Sequence, residues 1–265
     1  MNATFPLCVG GVVSADIAVP RHDEELRFYS DILSTGEDPF WRADLMNNLG
    51  MPIIGLGERT AEYEHLPLQW MPHIQVLDVA ASVERALSLH ATELAHGKNP
   101  EGVSQWAVLQ DPFGASFGLV PVVAEAEMAY PDGVTASDAD QRTGSIRWLD
   151  LTVPDAAGAQ EFYRKVIAYS IEEASVDQAG ESYRDYKLIH EDGKPAAGLR
   201  HARGIHAALP PLWMIHLPVG DLEESLRRVR NGEGKVHQTS QRPDGAIDAA
   251  VIQDPVGVWL ALVQG

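Results

Sequence analysis

The chain repeats itself, and this constrains its fold more than any other feature. Residues 14–20 (SADIAVP) match residues 148–154 (WLDLTVP) at an offset of 134, which also lays Phe28-Tyr29 on Phe162-Tyr163. From Phe40, which falls on Tyr183, the offset is 143, so the second half carries nine additional residues within 171–182. On that second offset residues 70–78 (WMPHIQVLD) fall on 213–221 (WMIHLPVGD), and Asp111-Pro112-Phe113-Gly114 falls on Asp254-Pro255-Val256-Gly257. So many coincidences on two offsets indicate a tandem duplication. The domains are expected at 1–122 and 144–265, joined by an acidic, small-residue-rich linker over 123–143.

With 265 residues, each half is long enough to bury its own core. Twenty Lys and Arg against 38 Asp and Glu give a formal net charge of −18, which argues against nucleic acid or an anionic membrane surface as partner. Neutral or cationic small molecules are compatible with that balance. The single cysteine, Cys8, cannot form an internal disulfide, and no segment has the pattern of a signal peptide or a membrane span. A cytoplasmic monomer with internal pseudo-symmetry is expected.

Residues 11–19 alternate as a half-buried strand, and 22–33 (HDEELRFYSDIL) have helical spacing with acidic residues in the first turn. Segments 40–47 and 52–57 read as a hairpin, 70–76 as a strand, 79–94 as a helix, and 104–110 with 115–122 as a second hairpin. The pattern is βαβββ twice in each half, four modules in an α+β chain, with curved, mostly antiparallel sheets around a cleft.

These residues resemble the vicinal oxygen chelate superfamily, which includes glyoxalase I, bleomycin-resistance proteins and extradiol dioxygenases. The resemblance rests on the run from Val153-Pro154-Asp155 to Phe162-Tyr163, on Trp213, His216, Val219 and Asp221 opening a module, and on the Asp254-Pro255-Val256-Gly257 turn closing it. It implies tandem two-domain architecture. It also implies a divalent metal held by a His on each module's first strand and a Glu on its last. The corresponding positions carry Ser14, Met71, Trp148 and Met214, and Ile54, Gly118, Ala197 and Ala261. None is a carboxylate or an imidazole, so no cofactor and no metal ligands are expected at the family's usual positions. His190, His201, His206 and His237 have no ligand-like spacing either.

Two residues beyond those first-strand positions, and therefore on the same face, lie Asp16, His73, Asp150 and His216. Each half thus carries one Asp and one His on equivalent strands. A carboxylate beside an imidazole raises the His pKa and orients its proton, as general acid–base chemistry needs. A buried Asp–His hydrogen bond tying two strands together accounts for the same duplication. Ligand contact is expected from Ser14, Met71 and Ser116 in a small-residue first cleft and from Trp148, Met214 and Trp259 in an aromatic second cleft, although the tryptophans suit a core equally well.

Three functions fit. The first is a metal-independent enzyme of isomerase or lyase type in which an Asp–His pair acts on a small organic molecule. The second is a non-catalytic protein sequestering an aromatic or cationic compound. The third is a metal-dependent lyase or dioxygenase with unusual ligands among Asp16, His73 and Glu58.

Overall fold

The computed structural model describes residues 7–124, 143–178 and 181–265. The expected linker falls almost wholly on 125–142, outside the described residues. The first half supplies β1 (Val12–Val19), α1 (His22–Leu33), β2 (Ile54–Glu58), β3 (Met71–Val76), α2 (Val79–Ser88), β4 (Thr92–Lys98), β5 (Ser104–Gln110) and β6 (Ser116–Pro121). The second supplies β7 (Trp148–Val153), α3 (Ala156–Ile167), β8 (Ser170–Gln178), β9 (Glu181–Ile189), β10 (Pro195–His201), β11 (Trp213–Val219), α4 (Leu222–Asn231), β12 (Lys235–Gln241), β13 (Ile247–Gln253) and β14 (Trp259–Gln264). Each half builds one mixed sheet, ordered β2-β1-β3-β6-β5-β4 and β12-β13-β14-β11-β7-β10-β9-β8.

Alternation along the strands decides what each sheet face meets. On β7, Leu149, Leu151 and Val153 are buried in the core, while Trp148 and Asp150 face the other way; on β11, Trp213, Ile215 and Leu217 are buried and His216 faces out. The buried faces carry the helices, and one continuous apolar core links the halves. Each helix lies on its own half's sheet, and α1 meets α4 and α2 meets α3 across the boundary. The cavities lie on the opposite faces.

Three helices start where an aspartate dictates: Asp78, Asp155 and Asp221 each accept a hydrogen bond at 2.9 Å from the backbone N–H three residues on. Arg21 holds the fourth such position with a left-handed backbone and no side-chain cap.

The first module departs from the expected βαβββ pattern. The residues aligned with β9 make only an isolated bridge, Trp41 to Asn47. Asn47 turns the chain there: its Oδ1 accepts from the N–H groups of Leu49 and Met51, its amide donates to the Gly144 carbonyl, and the Trp41 indole is drawn away to the Pro218 carbonyl. The nine additional residues of the second half fall in the β8–β9 hairpin, which explains eight strands against six. The helix expected over 79–94 also ends early. His90 takes a left-handed backbone (φ 70°), and the segment from Thr92, read as helical, pairs with β5 as β4. That stretch satisfies both periodicities, and the sheet edge decides between them.

Candidate functional site

In the second half, β7, β10 and β11 converge below a cavity of about 660 Å³ whose walls include Asp150, Arg200, His206, Met214, His216 and Gln238. Asp150 is the hub. Its Oδ1 accepts from the Trp148 indole at 3.0 Å and lies 3.2 Å from the Arg200 guanidinium, while its Oδ2 lies 3.2 Å from His216 Nε2. That last approach is too oblique for an aligned hydrogen bond. Arg200 extends the chain to His206 at 3.4 Å, and burial followed by the Arg200 charge pushes the His206 pKa down.

In the first half a cavity of about 610 Å³ is walled by Tyr63, Leu66, Met71, His73, Trp106 and Gly118, with Asp16 at its edge. His73 Nε2 lies 3.6 Å from Asp16 Oδ2, and Nδ1 shares a 2.9 Å hydrogen bond with the Ser14 hydroxyl. The two pairs are equivalent by sequence and unequal in setting. The Asp16 side chain is 55% exposed and that of Asp150 is 14%. Water therefore screens the first pair more than the second. From the sequence alone, the carboxylate is expected to raise the histidine pKa. At His73 burial outweighs the Asp16 charge and the shift is downward, favouring the neutral ring.

Glycines make room for both pairs. A Cβ on Gly55 would lie 2.2 Å from Asp16 Oδ1, and one on the aligned Gly198 would lie 2.3 Å from Asp150 Oδ1. At Gly118, opposite His73 on the neighbouring strand, a Cβ would meet the imidazole Cδ2 at 2.4 Å.

The structure thus brings together Asp16 with His73 and Asp150 with His216, and places Met71 and Met214 on cavity walls. It does not place Ser14, Ser116, Trp148 or Trp259 among the lining residues. Ser116 is fully buried, Trp148 braces Asp150, and Trp259 stacks on His237 with ring centroids 4.2 Å apart. The aromatic character is reversed between the halves: Trp106 and Tyr63 wall the first cavity, where small residues were expected. Trp106 is on β5, one strand beyond β6, which carries the family position Gly118, and Tyr63 sits in the irregular segment before β3.

The family's metal finds no donors here. Of its eight positions only Ser14 has a polar side chain, and that hydroxyl is engaged by His73; the space at Gly118 is filled by the His73 ring. Among the described residues no third carboxylate, imidazole or thiolate joins either Asp–His pair within ligand reach. Glu58 lies instead beside Arg21, His22 and Arg27, away from Asp16 and His73.

Among the described residues no helix is long and apolar enough to cross a membrane. Residues 13–120 match a family described as a glyoxalase-like domain. The chain is 26% identical over 202 residues to the anthracycline biosynthesis protein DauV of Streptomyces sp. (strain C5), covering 75% of this chain and 66% of that one. It is 25% identical over 126 residues to CFP32 of Mycobacterium tuberculosis, whose name places it among the glyoxylases, covering 47% of each. The chain therefore spans less than two thirds of the length of either relative. Among solved structures, a homoprotocatechuate 2,3-dioxygenase variant from B. fuscum superposes with a TM-score of 0.57 at 12% identity, over 100% of this chain and 73% of that one. A mutant 4-hydroxymandelate synthase from Streptomyces coelicolor gives 0.55 at 12% identity, over 97% and 93%. Residues 13–120 thus carry a glyoxalase-like domain, and the chain as a whole has the two-sheet fold of these dioxygenase and synthase structures.

Proposed function

We propose that this protein binds a small organic molecule and that Asp150 and His216 move a proton on it in the second cavity, without the metal usual to the family. The supporting observation is one carboxylate, on a cavity wall, braced by an indole and flanked by a guanidinium and an imidazole. Bracing by Trp148 fixes Asp150, whose negative charge stands 3.2 Å from His216 Nε2; the imidazole takes or returns a proton as general base or acid. Arg200 presents a planar donor fork to the same space and suits a ligand carbonyl or carboxylate. Proton transfer of this kind serves isomerase or lyase chemistry. The domain limits 1–122 and 144–265 belong to the same reading.

A second reading concerns the first cavity. Trp106 is 44% exposed there, facing Tyr63 across apolar walls, which suits stacking on a flat aromatic compound held without turnover. Similarity to a protein named for anthracycline biosynthesis supports an aromatic ligand.

A panel of small carbonyl and aromatic compounds, followed by calorimetry and by turnover, tests both. Loss of turnover by about 10²-fold or more in His216→Ala and Asp150→Asn, with binding largely kept, is the expected result. Full turnover in both variants refutes the acid–base role. Binding without turnover that vanishes in Trp106→Ala supports the second reading instead.

A further inference from the structure

Cys8, His190 and Asp192 bring three different metal-ligating atoms within 4.8 Å of one another, and none of the three lines either cavity. Cys8 precedes β1 in the first half, whereas His190 and Asp192 form the turn between β9 and β10 in the second. Hydrogen bonds from backbone and side chains hold these segments in place. Val9 N–H donates to Glu191 Oε1 at 3.1 Å, Glu191 N–H donates to the Val9 carbonyl at 3.3 Å, and the Tyr169 hydroxyl donates to the Gly10 carbonyl at 2.8 Å. Within the turn, Gly193 N–H donates back to the His190 carbonyl at 2.9 Å. The ligand atoms therefore sit on backbone already fixed, and His190 is only 6% exposed.

The geometry of the three atoms is informative. Cys8 Sγ lies 3.7 Å from His190 Nδ1, and Asp192 Oδ1 contacts that same nitrogen. A proton relay of thiol, imidazole and carboxylate uses opposite ring nitrogens. Both neighbours approach one nitrogen here; the sulfur–nitrogen separation already suits a shared ion, and the Asp192 carboxylate must turn out of its direct contact with His190 to admit one. A tetrahedral zinc, with Zn–S of about 2.3 Å and Zn–N of about 2.0–2.1 Å, holds sulfur and nitrogen roughly 3.6 Å apart.

Charge points the same way. The Asp192 carboxylate belongs to the cluster and the Glu191 carboxylate is held beside it by Val9 N–H, so the pocket carries negative charge. Lys194, 3.2 Å from Asp192 Oδ2, is the cationic side chain paired with the cluster.

We propose that Cys8, His190 and Asp192 bind one divalent transition ion of the zinc class, with water completing the coordination, and that this ion ties the segment before β1 to the β9–β10 turn. The site is independent of the cavities and of the proton-transfer reading.

Chelator-treated protein titrated with Co²⁺ tests it. Expected are one equivalent bound, a thiolate-to-cobalt charge-transfer band in the near ultraviolet, and displacement of that band by Zn²⁺. The band is expected to disappear in Cys8→Ser, and Asp192→Asn, an exposed substitution, is expected to weaken binding at least about tenfold. Circular dichroism of the metal-free variants checks that they fold. Failure to bind Co²⁺ or Zn²⁺, binding without the charge-transfer band, or binding equally tight in Cys8→Ser would each overturn the proposal.

Discussion

Asp150 keeps its position because residue 198 has no side chain: the missing Cβ would stand 2.3 Å from the carboxylate Oδ1. In Gly198→Ala the carboxylate must rotate away from Trp148 and Arg200. The atom displaced is the end of a flexible side chain, so stability is expected to change by no more than about 1 kcal/mol. Ligand affinity or turnover in the second cavity should fall while urea unfolding barely moves. A crystal structure of the variant with Asp150 unmoved would contradict this.

The buried carboxyl of Glu25 supplies a pH signature. It is 1% exposed with no hydrogen-bond donor on either oxygen, and burial followed by the neighbouring Asp254 carboxylate pushes its pKa up to about 8. A folded-state pKa above the unfolded value means that the native protein holds a proton the unfolded chain has released. Stability from this group is therefore present at acidic pH and is lost as pH rises from about 4.5 toward 8, with a slope of at most about 1.4 kcal/mol per pH unit. Glu25→Gln should flatten that slope in denaturant titrations at pH 5 to 8. An unchanged slope rejects the assignment.

Tyr163 and Tyr29 offer an ordered pair of substitutions. Tyr163 donates to Asp111 Oδ2 at 2.7 Å and accepts from the Trp213 indole at 3.0 Å; Tyr29 donates to Asp254 Oδ2 at 2.9 Å. Replacement by Phe leaves a buried carboxylate short of a donor in both cases, at a cost of about 1–3 kcal/mol each. Tyr163→Phe also strands an indole N–H and is expected to cost more. Equilibrium urea unfolding ranks the two, and the reverse order would refute the argument.

His73 should titrate below the usual imidazole range by NMR, because burial dominates its environment. Asp16 acts in the opposite sense. Its neutralisation in Asp16→Asn is expected to move the His73 midpoint lower still, and an unchanged midpoint would show that the contact at 3.6 Å carries no charge coupling.

Much of this was legible in the sequence because it is periodic or local. The duplication, the α1 limits and both Asp–His pairs followed from offsets and strand alternation, and the aspartates opening three helices act within four residues of themselves. What escaped depends on distant partners. Thr92–Lys98 becomes a strand because β5 offers it an edge, and the 40–47 segment fails to become one because Trp41 and Asn47 are claimed by Pro218 and Gly144. Trp106 reaches a cavity from β5, whose place in the sheet is set by pairing with β4 and β6, and Cys8 meets His190 across 182 positions of sequence. No spacing rule reaches that far.

The reciprocal Tyr–Asp bonds carry one more consequence. Each half contributes a helix tyrosine and a turn aspartate, and each aspartate serves the other half's tyrosine. A surface that offers both members of such a pair complements a rotated copy of itself, which is the condition for an isologous twofold contact. A single ancestral half with one tyrosine and one aspartate could thus have closed both bonds as a homodimer. Fusion would then have freed the halves to diverge, one toward a braced carboxylate and the other toward an aromatic wall.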